Sequence, residues 1–416
     1  MLAPRWRKVI RDLWGNKLRT LLIVMAVAVG VFAFGLIATS RDTIWRELGG
    51  AFRATHPASI VMSVSPFDED LAHAVQGMRE VALAEGRGVY TVSMEVNPQT
   101  WISLQLWAID DFENMRISKV FPESGRWPPH RREVLIERSY LMIPGATLGE
   151  SIHIELPDGQ EYDLPVAGLA HDVKQFPTLY FQEAYGYITL DTLEWLSGSR
   201  QFNELHIIVA ERADDRAHIE QVATTIRERV ERDGYTVFST TIPDPGKHWS
   251  TNAMDAMILI LGVMGIFSLF LSGFLVVNTI SAILKQQTRQ IGMMKAVGGQ
   301  TGQIMAIYLA TILIVGVLAF AVALPLGALG ARGFAGYSAT MTNYDIEVFF
   351  VEPGVIAIQA ALAVFMPLAS AIFPVLAGTR APAREALSDY GITLRRAGGD
   401  WLDRLVERVR GLPRPV

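Results

Sequence analysis

The sequence predicts an α-helical membrane protein with four transmembrane helices and an α/β extracytoplasmic domain inserted between spans one and two. Three observations carry this. Only 19% of the 416 residues are charged while 50% are hydrophobic, whereas soluble domains carry about a quarter charged residues. Four long stretches hold no Asp, Glu, Lys or Arg: Thr20 to Ser40, Ala256 to Leu284, Ala296 to Ala331 and Pro353 to Thr379. Each meets the roughly 20 apolar residues that a spanning helix needs. One large polar block remains, Arg41 to Ser250, and it has the length of an ordinary domain.

In chain order, residues 1–19 form a cytoplasmic amphipathic arm, in which Trp6, Val9, Ile10, Leu13 and Trp14 share one helical face among cations. Such a helix suits the inner membrane surface. Transmembrane helix 1 is assigned to 20–40. Its apolar run exceeds that of a cleavable signal peptide, so it is expected to stay as an anchor. Ile44, Leu48 and Phe52 continue the helical spacing outward as a stalk. The extracytoplasmic domain, with its stalks, takes 41–250. "ASIVMSVS", "WISLQLWAI", "REVLIE" and "AYGYITL" read as strands, "PDGQ" as the turn of a hairpin, and "DDRAHIEQVATTIRERVERDG" as a helix stopped by Gly234. Transmembrane helix 2 follows at 251–284, a short basic helix at 285–300, transmembrane helix 3 at 301–331, an external loop at 332–352, transmembrane helix 4 at 353–379 and a cytoplasmic tail at 380–416. Pro325, Pro367 and Pro374 are expected to kink spans three and four.

Charge sets the expected orientation. Arg41 to Ser250 holds 19 Lys and Arg against 32 Asp and Glu, and the rest of the chain is net positive. Cations crowd the arm, the loop after span two (Lys285, Arg289, Lys295) and the tail, while the loop after span three has Arg332 against Asp345, Glu347 and Glu352. The positive-inside rule places both termini in the cytoplasm of a multi-pass protein of the cell membrane, with the acidic domain outside. The chain has no cysteine, so the external domain owes nothing to disulfides.

No catalytic constellation emerges, and the chain is not read as an enzyme. "DPGKHW" lacks the upstream glycine and following hydroxyl residue of a phosphate loop, and the eight histidines are too scattered to suggest a metal site. Nothing points to nucleic acid. His171 and Asp172 read as an exposed polar pair at a strand end, and His206 as a strand residue facing water. The spans carry no ionisable residue at their centres, which argues against an ion-driven pump. Span three instead carries Ala319, Ala323, Gly327 and Ala331 at strict four-residue spacing. Small residues in line let helices approach closely in lipid, within one chain or between chains.

The loop between spans two and three is the most informative segment. Ile291, Met294 and Val297 recur every three residues as an apolar face, Arg289, Gln290 and Lys295 supply polar positions, and Gly298 can end the helix in a left-handed conformation. A helix this short is marginal alone, so its apolar face is expected to bury against lipid or a cytoplasmic partner.

"TRQIGMMKAVGGQTGQI" resembles the pattern R-x-E-I-G-I-[ML]-[KR]-A-[LIV]-G-A-x-x-x-Q-I of the FtsX/MacB-like permease subunits of ABC transporters. Ile291-Gly292, Lys295-Ala296-Val297-Gly298 and Gln303-Ile304 stand in register, with Gln290 in place of the usual Glu and Gly299 in place of a common Ala. The tail "TRAPAREALSDYG" is similar to the family ending in Arg380, Glu385, Ala386 and Leu387, with Pro382 one place early. The stretch from "ESGRWPPH" to "AGLAHD" resembles the family's extracytoplasmic core, with Glu150 for the usual Asp.

The resemblance implies a permease driven by a separate ABC ATPase. Arg289, Gln290, Ile291, Gly292, Met294, Lys295, Val297 and Gly298 would then form the coupling helix that passes ATPase motion to the external domain, for export or extraction of a lipid, lipoprotein, peptide or drug. It also implies a second permease copy, identical or similar, membrane lipid as surroundings, and a periplasmic adaptor or external hydrolase as further partner. No cofactor is expected on this chain; ATP and Mg belong to the ATPase. Two other readings stay open: an ATP-driven regulator of an external cell-wall hydrolase, and an ATPase-independent membrane receptor.

Overall fold

The computed structural model describes residues 4–380 apart from 16, 99, 144, 145, 147 and 148. The tail motif from Pro382 to Leu387 lies outside the described residues. The chain opens with helices α1 (Pro4–Gly15) and α2 (Lys17–Ala54). The external domain follows as β1 (Ile60–Phe67), α3 (Glu69–Gln76), β2 (Val81–Asn97), β3 (Thr100–Ile109), β4 (Phe121–Gly125), β5 (Val134–Glu137), β6 (Ser151–Glu155) and β7 (Glu161–His171). It closes with α4 (Thr178–Phe181), β8 (Glu183–Thr189), α5 (Leu190–Ser197), β9 (Phe202–Val209), α6 (Arg216–Arg232) and β10 (Val237–Thr241). Then come α7 (Thr251–Gln286), α8 (Thr288–Ala296), α9 (Thr301–Thr342) and α10 (Pro353–Arg380). Among the described residues, α2, α7, α9 and α10 are long and apolar enough to cross a membrane, and the mixed α/β domain sits between the first and second of them. The prolines at 325, 367 and 374 lie inside α9 and α10 without ending them.

The residues form two compact units. One comprises residues 4–23, 273–316 and 365–380; the other comprises residues 24–272 and 317–364 and includes the whole external domain.

The external sheet has ten strands in the order β10-β1-β9-β2-β3-β8-β5-β7-β4, with β6 paired to both β2 and β7. Most pairs are antiparallel; β3 runs parallel to β8 and β5 parallel to β7. The hairpin at "PDGQ" joins β6 to β7 in the register Glu155↔Glu161, and Gly159 takes the left-handed φ of +81° that the tight turn requires. Helix α6 is capped by Asp215, whose carboxylate accepts from the backbone N–H groups of Ala217 and His218. It lays Ile219, Val222, Ile226 and Val230 on the sheet. Seventeen-residue β2 is the spine: its first part pairs with β9 and its second with β3. Gly86 and Gly88 lie at the changeover. A Cβ at Gly86 would stand 2.5 Å from the Phe202 ring, and one at Gly88 2.9 Å from Leu193. Only bare backbone fits there.

Helix α2 has 38 residues, about 57 Å of helix against a hydrocarbon core of about 30 Å. Its outer turns bury Ile44, Leu48 and Phe52. Ile44 and Leu48 pack with Val173 of the external domain, Ala335 and Ala339 of α9, and Tyr344 beyond it. Arg46 Nη2 donates to Val348 O at 2.8 Å and the guanidinium lies 4.4 Å from the Phe350 ring centroid, while Glu47 Oε2 accepts from the Glu347 N–H at 3.2 Å. The stalk therefore holds the loop after α9 as well as the domain. Arg46→Pro removes one helical hydrogen bond and clashes with the preceding turn, a cost of about 3 kcal/mol or more. Arg46→Ala loses side-chain contacts alone, to Glu47, Val348 O and the Phe350 ring, each about 1 kcal/mol or less, and leaves the helix intact. Thermal unfolding of the detergent-solubilised protein should separate the two, and equal melting temperatures would remove the stalk from the list of stabilising elements.

Candidate functional site

The inner-loop helix belongs to the first unit. Gln287 separates α7 from α8, and Tyr308 of α9 donates to its Oε1 at 2.7 Å, which fixes the start of α8. At the other end Gly298 has φ +99°, the Gly298 N–H donates to Lys295 O at 3.0 Å, and the Gly299 N–H reaches back to Met294 O at 2.8 Å. This is a glycine-terminated helix end. Ile291 is 1% exposed and Gly292 is buried, so this edge of α8 packs into its own chain. Met294 and Lys295 are half-buried, Arg289 and Gln290 exposed. Met293 is 48% and Val297 91% exposed. Together with Met294, Gln303 and Ile304 they line an open groove of about 600 Å³. The apolar surface presented outward thus runs through Met293 and Val297, four residues apart. The three-residue spacing of Ile291, Met294 and Val297 expected from the sequence does not describe it, because Ile291 is consumed by the chain's own packing.

In the second unit the small-residue line of α9 is buried within the chain: Ala319, Ala323 and Ala331 are 0% exposed, and the line continues through Ala335 and Ala339. Gly327 lies against the backbone of α2 at Phe32 and Leu36 and against Gln359 of α10. Gln359 is 1% exposed and its Nε2 donates to Val31 O at 3.2 Å. A Cβ at Gly35 would stand 1.8 Å from that nitrogen. Gly35→Ala must therefore expel the amide from its acceptor, leaving a buried polar group unsatisfied at about 1–3 kcal/mol. Adding Gln359→Ala should recover much of the lost thermal stability; a double variant as unstable as the sum of both singles would exclude this contact as the cause.

At the outer end of α9 a polar cluster ties the membrane helix to the external domain. Asn343 follows the helix with φ +57°, a left-handed conformation that Asn tolerates better than most residues. Its Nδ2 donates to Glu137 Oε1 at 2.7 Å and to Asp172 O at 3.3 Å, its Oδ1 accepts from Arg138 Nε at 2.9 Å, and its backbone O accepts from His171 Nε2 at 2.8 Å. Glu137 is wholly buried. Burial pushes its carboxyl above the usual range, against the opposing hydrogen bonds from Ser139 and Asn343. Glu123, His171 and Asp345 bring potential ligand atoms within 4.8 Å of one another. Arg138 Nη1 already stands 3.2 Å from Glu123 and 2.9 Å from Asp345, so the guanidinium supplies the cation and the group is an ion-pair cluster.

Residues 262–383 match the family model for the FtsX-like permease C-terminal domain. Over those residues, which hold most of α7 and all of α8, α9 and α10, the chain is similar to that permease domain; α2 lies outside the match. No curated protein matches the chain. Among solved structures, the extracellular domain of the noncanonic ABC-type transporter YknZ from Gram-positive bacteria aligns at TM-score 0.30 and 11% identity, over 44% of this chain and 99% of that one. The periplasmic region of MacB from Actinobacillus actinomycetemcomitans aligns at TM-score 0.28 and 8% identity, over 43% of this chain and 87% of that one.

The permease segment contains α8 and the ladder Ala319, Ala323, Gly327 and Ala331. It also contains two residues that sequence reading passed over. Gln359 is a lone amide inside an apolar span, a visible signal. Asn343 in "MTNYD" carries none beyond its position after a long helix. Two readings are corrected. Asp172 is 1% exposed rather than at the surface: it accepts from Tyr187 OH at 2.8 Å and Lys174 Nζ at 2.5 Å. His206 is a strand residue, but 4% exposed; its Nδ1 lies 3.1 Å from Ser118 Oγ, and burial holds its pKa below the ordinary value. Asp172 lies just beyond the end of β7 and His206 in the middle of β9.

Proposed function

We propose that this permease is the membrane-spanning subunit of an ATP-driven ABC-type machine, and that α8 is its contact with the ATPase. The observation that carries this reading is the outward pair Met293 and Val297 over an apolar groove, on a short helix whose opposite edge is anchored in the chain. Buried apolar anchors with charges at the rim are the usual economy of a protein contact, and Arg289 and Lys295 flank the pair. ATP and Mg bind the ATPase. Closure of two ATPase subunits would move α8, and the continuous helices α2 and α9 would carry that motion to the external domain, acting on a lipid, lipoprotein, peptide or drug. A second copy of the chain or a similar subunit completes the pair of docking sites. Affinity purification from native membranes tests this: the chain should bring down an ABC ATPase whose Mg-dependent hydrolysis of ATP co-elutes with it. Recovery of the folded chain with no such activity would count against the proposal.

The same reading puts both termini and α8 in the cytoplasm, with the external domain and the loop after α9 outside. Single cysteines can report this cleanly because the native chain has none. Positions 113 and 345 should react with a membrane-impermeant maleimide in intact cells, and position 295 only after permeabilisation. Labelling of position 295 from outside would overturn the orientation.

A further inference from the structure

A cavity of about 460 Å³ opens in the external domain beside Phe52, near the outer end of α2, a volume in the range of small-molecule sites. Ser118 and His206 both line it. Ser118 Oγ stands 3.1 Å from His206 Nδ1, and His206 Nε2 stands 3.2 Å from a carboxylate oxygen of Glu204. Glu204 and His206 are two places apart on β9, so they share one face of the strand. Ser118 arrives from the loop between β3 and β4, 88 positions from His206, and no contiguous motif announces the group. That loop is fastened just past the end of α2: the Ser118 N–H donates to His56 O at 2.9 Å and the Lys119 N–H to Thr55 O at 2.7 Å. Ser118 takes φ +51°, a left-handed conformation that is uncommon outside glycine and collects at functional sites. Two cations flank it. Arg87, 5% exposed, donates to Ile117 O at 3.0 Å, and Lys174 Nζ donates to Lys119 O at 2.9 Å. Trp107 packs edge-on against the imidazole, with ring centroids 6.0 Å apart. Burial lowers the His206 pKa, which keeps the ring neutral and able to take a proton at neutral pH.

We propose that Ser118, His206 and Glu204 form a hydrolytic triad that acts on carboxylic esters with an apolar acyl group. A nucleophile within hydrogen-bond reach of a base, with the base oriented by a third group, is the arrangement that activates a serine. Ser118 Oγ attacks the ester carbonyl carbon, and its proton passes to His206 Nδ1 while Glu204 accepts from Nε2–H. The bond from the acyl carbon to the alcohol oxygen breaks, and the proton on Nδ1 leaves with the alcohol. Water then attacks the acyl-serine and gives one proton to His206. That proton returns to Ser118 Oγ as the acyl bond breaks and the carboxylic acid departs. The oxyanion of each step forms in the field of the flanking Arg87 and Lys174, whose positive charge favours it. Phe52, Val120, Phe176 and Trp249 give the cavity apolar surface for the acyl chain. The proposal stands whether or not an ATPase docks on α8.

The full chain, purified in detergent, can be treated with a fluorescent fluorophosphonate and assayed for hydrolysis of p-nitrophenyl butyrate. The expected result is a phosphonate adduct on Ser118, located by mass spectrometry of the digested protein, and turnover above the detergent blank. Ser118→Ala should lose both with little change in melting temperature. His206→Gln should lower kcat about a hundredfold or more, the scale of a lost general base. Glu204 is a positioning residue. Glu204→Gln should lower kcat by a similar factor with KM little changed, and Glu204→Asp, which keeps the charge, should recover part of the loss; a merely structural carboxylate would move the melting temperature and not this ratio. No adduct on the wild-type chain, an adduct on a different residue, or equal turnover by wild type and Ser118→Ala would overturn the proposal.

Discussion

Asn343→Ala should lower the stability of the second unit by about 3–5 kcal/mol, the range for stripping a partner from a buried charged group. Three side-chain hydrogen bonds vanish at once: those to Glu137, to Asp172 O and from Arg138. Alanine must also hold the left-handed φ of +57°, at roughly 1 kcal/mol. Asn343→Gly relieves the backbone term alone, so it should recover only that small share. Asn343→Asp has a different signature. It sets a second carboxyl against the buried Glu137, and the pair must retain a proton in the folded state. With folded pKa values raised above the unfolded ones, the folded form binds more protons. Stability should then be lowest near pH 8 and rise as pH falls through the carboxyl range, the opposite of the trend for ordinary surface ion pairs. Thermal unfolding in detergent from pH 5 to 8 reads both effects. Wild-type stability in Asn343→Ala, or a pH-independent Asn343→Asp, would show that the outer end of α9 is not held by this cluster.

Val297→Asp should leave the chain folded and reduce recovery of its ATPase at least tenfold. At 91% exposure, Val297 contributes nothing to the chain's own core, so the substitution is silent unless a partner covers it. Covered, the new carboxylate is buried without a partner, a penalty of several kcal/mol. Met293→Asp should act alike. Ile291→Ala marks the contrast: as a wholly buried side chain it should cost about 2–4 kcal/mol of stability and weaken docking only through that loss. Arg289→Ala should weaken association modestly and make it less sensitive to salt. A pull-down in one detergent with a parallel melting curve separates these outcomes. Equal ATPase recovery by wild type and Val297→Asp, both folded, would refute docking on α8.

What could be read without coordinates depended on local chemistry. Spans declare themselves because hydrocarbon tolerates no charge over some twenty residues, and the hairpin at Gly159 and the Asp215 cap because turns and helix ends are settled by neighbours in sequence. The periodic anchors Ile44, Leu48 and Phe52 were legible for the same reason, and so was the family resemblance, since its motif is contiguous from Arg289 to Ile304. Tertiary structure decided the rest. Ile291, and not Val297, is buried within the chain; spacing of three or four residues cannot tell an inner from an outer face on so short a helix. Asp172 and His206 look like surface polar residues in sequence, but the fold buries both: Asp172 accepts from Lys174, Gln175 and Tyr187, and His206 meets Ser118, 88 positions away. Asn343 meets Glu137 across 206 positions and Gln359 meets Val31 across 328. A polar side chain in an apolar setting signals that a partner is needed. Only the packing of the helices shows which one, because the energy of a buried hydrogen bond depends on atoms within about 3 Å and not on order along the chain.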